Sequence, residues 1–188
     1  AGSVVACAVV MPPGILIEGV KDSKQLTPKK REKLFDIIKE TAVAVGIGEM
    51  DCKTVDSINI KRATKLAMIQ AVENLRDTDG NKVTPDYLLI DAEKLDIEIP
   101  QLNIIKGDAK CHGIAAASII AKVTRDRQMD EIDKLYPEYK FAKNKGYGTK
   151  EHINALLEYG PCEIHRKTFL KKIMNRQEQL RLFSYASE

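Results

Sequence analysis

Apolar residues arrive in short runs early in this chain and at helical spacing later. Val4 to Met11 is an unbroken apolar run and predicts a strand. Pro12-Pro13-Gly14 ends it in a turn, and Ile15 to Gly19 is expected to return as the second arm of a hairpin. Thr27 before Pro28 pairs an N-cap with a first-turn proline. The helix they start has Leu34, Ile37, Ile38 and Thr41 as its buried stripe. Ala42 to Gly48 predicts a further strand, and Val55 to Leu75 a helix. Tyr87 to Ile90 and Asn103 to Gly107 are short runs closed by Asp91 and Asp108, and read as neighbouring buried strands. Gly113 to Leu135 predicts a long helix, rich at its start in small residues that permit close packing on a sheet. Gly146-Tyr147-Gly148 is a tight turn, Thr149 caps a helix to Tyr159, and Arg166 to Arg181 is a basic amphipathic segment.

Strands cluster early and helices dominate late, which gives a mixed α/β domain. At 188 residues the chain suits one domain able to bury a core without disulfides. A formal net charge of +3 with 30% charged residues permits nucleic-acid binding without requiring it. Cys7, Cys52, Cys111 and Cys162 are scattered and form no C-x-x-C pair, which favours a reducing compartment, taken as the cytoplasm. No segment reaches transmembrane length, so no membrane association is expected. No exposed apolar stripe is evident, so a monomer is expected.

The chemistry-bearing residues begin with Asp91 and Asp108. A carboxylate at a strand exit is commonly a turn or cap residue. Two of them after neighbouring strands make a shared acidic pocket, and such a pocket fits a hard divalent cation. Asp22-Ser23-Lys24 is a loop whose hydroxyl and ammonium suit a phosphate, although a solvated loop is the plainer reading. Lys143 to Thr149 offers lysine charge and the Tyr147 ring for stacking on a base; the competing reading is a surface turn. His112, His152 and His165 lie far apart with no ligand spacing and read as structural or surface residues. Lys29-Lys30-Arg31 in a helix first turn opposes the helix dipole and reads as a solvated face. The chain has no P-loop, G-x-G-x-x-G or G-x-S-x-G motif.

Taken in order, several segments resemble bacterial type 2 ribonuclease H (ribonuclease HII) over essentially the whole length. They are Ala1 to Val5, DSKQL at 22–26, NIKRATKLAM at 59–68, LLIDA at 88–92, KGD at 106–108, AAASIIAKVTRD at 115–126, KGYGT at 145–149 and IHRKTF at 164–169. The resemblance implies an RNase H-like mixed central sheet flanked by helices, within a single domain over 1–188, with a helical C-terminal part from about 149. It implies endonucleolytic cleavage of RNA in RNA–DNA hybrids and at ribonucleotides embedded in duplex DNA, by two metal ions, Mg²⁺ or Mn²⁺. Asp91 and Asp108 match the third and fourth of the family's four metal carboxylates. Tyr147 and Lys145 match its junction-contacting turn, and Ser23 and Lys24 a phosphate-contacting loop. The family's first two carboxylates, in a D-E-A-G-R-G-like motif on its first strand, would stand just before Ala1. The expectation is therefore that the full polypeptide carries that segment, or that this chain is an inactive hybrid-binding fragment.

Overall fold

The structure is a computed structural model that describes residues 1–171, 173 and 174. Its elements are β1 (Val4–Val10), a 3₁₀ turn (Ser23–Gln25), α1 (Pro28–Thr41), β2 (Ala44–Met50), α2 (Cys52–Ile58), α3 (Ile60–Glu73), β3 (Leu88–Asp91) and β4 (Gln101–Ile104). There follow α4 (Gly107–Lys110), α5 (His112–Leu135), a second 3₁₀ turn (Pro137–Tyr139), α6 (Phe141–Asn144) and α7 (Lys150–Tyr159). Residues 167–171 are helical, and the expected basic helix beyond 174 lies outside the described residues. The chain divides into two compact units.

The first unit holds Val4–Met50 and Ile60–Arg125. In it β1 pairs antiparallel with β2, from Val4 opposite Met50 to Val10 opposite Ala44. Successive strand side chains point to opposite faces, and both faces are used. Cys7, Val9, Val45 and Ile47 pack on Leu34, Phe35 and Ile38 of α1 and on Ala116, Ile119 and Ile120 of α5. Val4, Ala6 and Ala8 pack on Ala67 and Ala71 of α3. The pair is thus flanked by helices on both sides, as the α/β class requires. β3 pairs parallel with β4, and Leu88 and Ile90 turn towards Met68, Ile69 and Val72 of α3. The strands form two two-stranded sheets, one antiparallel and one parallel. A cavity of about 660 Å³ is lined by β1 residues Cys7 to Val10, β3 residues Leu88 to Ile90, and Met68 and Ile114 among others. Tyr87, Leu89, Leu102 and Ile105 are exposed, so this region is more apolar at its surface than the sequence pattern indicated.

Three local expectations change. Ile15 to Gly19 is not a hairpin arm; β2 takes the place beside β1. Two prolines precede the segment, and the Ile17 amide donates to His112 Nε2 at 3.1 Å rather than to a strand. The helix expected over Val55 to Leu75 is broken at Asn59, whose φ of +67° cannot continue a helix. In α1 the buried face is Arg31, Leu34, Phe35 and Ile38, while Ile37 and Thr41 are only half-buried.

The second unit gathers Ala1–Ser3, Asp51–Asn59 and the described residues from Asp126 on. Its core is Met129, Tyr139, Phe141, Ala155, Leu156 and Leu170. The Arg166 guanidinium donates to the carbonyls of Gly2 and Ser3 at 2.9 and 3.0 Å. Asp56 on α2 accepts from the amides of Lys167 and Thr168 at 2.6 and 2.9 Å, capping the helical residues that begin there.

The tightest packing is between β2 and α3. A Cβ on Gly48 would stand 1.9 Å from the Ala67 carbonyl oxygen, and one on Gly46 2.1 Å from that of Ala71. Both obstacles are backbone, so neither can swing aside. Gly48→Ala is expected to destabilise the protein by about 3 kcal/mol or more, read as a lowered urea midpoint. An unchanged midpoint would disprove this packing.

Candidate functional site

Asp91 is the last residue of β3, and the parallel register places it beside Ile104 at the end of β4. The chain then turns through Lys106, in the left-handed region at φ +58°, into α4. Gly107 is buried and its amide donates to Asp91 Oδ1 at 2.8 Å. A Cβ at 107 would lie 2.6 Å from Ile114 Cδ1 and 3.3 Å from Asp91 Oδ1. A larger residue there would have to displace the Ile114 methyl and would crowd the carboxylate. Asp108 follows at once, half-buried, in the first turn of α4. It is not an N-cap: Lys106 holds that position without a side-chain bond. Lys24 forms an ion pair with Asp108, with Nζ 3.7 Å from Oδ2. One small region thus joins Asp91, Asp108 and the loop of Lys24.

That loop is strongly determined. Asp22 accepts from the Lys24 amide at 2.9 Å. Arg31, expected to be solvated, is buried, and its guanidinium donates to the carbonyls of Ser23 and Leu26 at 3.0 and 2.6 Å. The Ser23 hydroxyl is buried against that of Ser118 at 2.8 Å. Of the two residues expected to meet phosphate, Lys24 projects outward and Ser23 inward. Nearby, Lys61 and Lys65 approach Glu93 at 3.9 and 3.3 Å.

In the second unit, Tyr147 is 59% exposed and so presents its ring to solution. Its turn is fixed by Asn144, whose carbonyl accepts from the Tyr147 amide at 2.9 Å and whose Oδ1 accepts from the Gly146 amide at 2.8 Å. Lys145 points back to an ion pair with Asp130. Lys143 pairs with Glu151 at 2.7 Å.

The sequence model of the ribonuclease HII family matches residues 1–172. The chain belongs to the ribonuclease HII family. It is 56% identical over 173 residues to ribonuclease HII of Alkaliphilus oremlandii, covering 92% of this chain and 85% of that one. It is 53% identical over 169 residues to ribonuclease HII of Bacillus subtilis, covering 90% and 64%. Among solved structures it resembles the crystal structure of the ribonuclease H2 from Pyrococcus horikoshii OT3, with TM-score 0.66 and 25% identity over 94% of this chain and 99% of that one. Membership of the ribonuclease HII family makes the chain a ribonuclease H by descent and places it in a group that depends on divalent metal.

The donor set can be weighed against such a metal. Asp91 and Asp108 supply carboxylate oxygens, the ligand type hard cations take. Mg²⁺ is often held by only one or two carboxylates together with substrate phosphate and water. The pair fits that mode. It is not an all-protein cage: among the described residues no group of three or more His, Cys, Asp or Glu is gathered to hold a metal. Among the described residues, no helix is long and apolar enough to cross a membrane.

One cluster escaped the sequence reading. His152 and His165, thirteen positions apart, meet with their Nε2 atoms 2.9 Å apart, both almost fully buried. No spacing rule signals this, because the contact depends on how α7 and the segment after it fold back. Burial lowers both pKa values, that of His165 to about 4 with help from the neighbouring His152. Both rings are therefore neutral in the fold. Protons bind the unfolded chain first as pH drops, so the stability held by these rings is complete above about 6.5. It is lost on acidification from there toward about 4. Thermal melts should show a fall on the order of 2–3 kcal/mol across that window, absent in the double variant H152L/H165L.

Proposed function

We propose that this chain is an endonuclease that hydrolyses the RNA strand of RNA–DNA hybrids and cuts at ribonucleotides embedded in duplex DNA. The products would carry 5′-phosphate and 3′-hydroxyl ends. The observation that carries this reading is the parallel pairing of β3 with β4, which sets Asp91 and the turn to Asp108 together within a member of the ribonuclease HII family. Asp91 and Asp108 would hold Mg²⁺ or Mn²⁺. Such ions, when bound, supply water activation and stabilisation of the leaving oxygen in an in-line phosphodiester displacement.

The chain's own residues have separable tasks in this reading. Gly107 keeps Asp91 in one orientation by donating to a single carboxylate oxygen. Lys24, beside Asp108, offers a charge to a substrate phosphate near the acidic pair. Ser23 supports the loop through Ser118 and would reach substrate only by turning from that bond. Tyr147 would stack on a base or sugar of the hybrid, and Lys145 would bind a phosphate after release from Asp130. We place the protein in the cytoplasm, as a monomer.

A second reading is a hybrid-binding chain that does not cleave. The observation behind it is that, among the described residues, no group of three or more His, Cys, Asp or Glu is gathered to hold a metal. A Mg²⁺-dependent cleavage assay on a duplex with one embedded ribonucleotide separates the two: binding without any cutting selects the second. Under the first, Asp91→Asn and Asp108→Asn each reduce cleavage on the order of 10³-fold, the rate equivalent of several kcal/mol. Hybrid affinity stays within a few-fold. Full activity in Asp91→Asn rules out the assigned site.

A further inference from the structure

The His152–His165 pair connects to the Tyr147 turn by hydrogen bonds whose directions are all fixed. The Cys162 amide lies 3.0 Å from His165 Nδ1, and an amide can only donate. His165 Nδ1 therefore carries the lone pair, and the proton of the neutral ring is on Nε2. That proton points to His152 Nε2, 2.9 Å away, which must then accept. The proton of His152 is left on Nδ1, 2.8 Å from the Tyr147 carbonyl oxygen, which can only accept. Backbone groups of unambiguous role stand at both ends, so one arrangement of protons satisfies all three bonds.

The alternative is disfavoured where it matters. His165 Nδ1 also lies 3.1 Å from Cys162 Sγ and 3.3 Å from the Cys162 carbonyl. A proton on Nδ1 would serve that carbonyl, but it would reverse the chain and set a bare His152 Nδ1 against the Tyr147 carbonyl. Two lone pairs would then face each other in a site walled by Tyr139 and Phe141, whose rings stand 4.9 Å from His165 and 5.3 Å from His152. Little solvent reaches the pair to relieve such a clash.

We infer that His152 and His165 are positioning residues for nucleic-acid recognition: a one-directional imidazole relay from the Cys162 amide holds the Tyr147 carbonyl and thereby aims its exposed ring. The inference rests on the reading of Tyr147 as a substrate contact. His152 suits the task because it sits in the first turn of α7, whose N-cap Thr149 also donates its amide to the Tyr147 carbonyl, at 2.8 Å. The carbonyl is gripped twice, once by backbone and once by the relay.

Two measurements test this. Nitrogen-15 NMR of the wild-type protein at neutral pH should show His165 protonated at Nε2 and His152 at Nδ1; the opposite tautomers, or charged rings, overturn the relay. Affinity for an RNA–DNA hybrid, read by fluorescence anisotropy, should fall about tenfold in His152→Leu. His152→Asn, which keeps an N–H near the place of Nδ1–H, should restore most of it. Unchanged affinity in His152→Leu, or equal losses in Leu and Asn, overturns the positioning role. Tyr147→Ala separates the two layers. If it leaves affinity unchanged, the substrate role of Tyr147 fails and the positioning role fails with it, while the tautomers still decide whether the relay exists.

Discussion

The turn at Gly107 packs closely on the end of β3 and donates its amide to Asp91, and the acidic pair takes its form from that constraint. With Ile114 2.6 Å from any Cβ there, the turn from β4 into α4 lies flat against the end of β3. Its amide reaches the Asp91 carboxylate at 2.8 Å. A longer or bulkier connection would separate the strand that carries Asp91 from the helix turn that carries Asp108. Parallel pairing supplies the other half of the constraint, because it brings both strand ends to the same edge. The left-handed Lys106 and the positive φ of Ala92 lie on either side of this contact, where the chain bends most sharply.

Much of this was legible in the sequence. The apolar run from Val4, the Thr27-Pro28 cap and the Thr149 cap are local signals, and local physics decides them. Asp91 and Asp108 stood out because they close apolar runs. What remained hidden depends on contacts between distant segments. Nothing near Ile15 to Gly19 announces that His112 will take the Ile17 amide. Nothing near Lys29 to Arg31 announces that Arg31 will be drawn inward to two carbonyls of the preceding turn. The tight seat of the sheet on a helix was readable as small residues in α5, yet the closest approach is Gly46 and Gly48 against α3. Glycine in a strand reads as weakness until its partner helix is known.

The histidines show the same limit in another form. Spacing argues against a metal site and for structural roles, and both rings are indeed internal. Their arrangement still carries more information than burial alone. Backbone groups at each end fix which nitrogen is protonated, so a structural pair acquires a direction.

The lysines assigned to phosphate already have carboxylate neighbours: Lys24 has Asp108, and Lys145 has Asp130. A phosphate that takes such a lysine leaves a bare carboxylate, which recruits a cation from solution. Nucleic acid sheds its condensed counterions on binding, and the steepness of the salt effect ordinarily counts the phosphates neutralised. Here part of that release is returned at Asp108 and Asp130. Hybrid binding should therefore weaken with added salt more gently than the number of phosphate contacts alone would dictate.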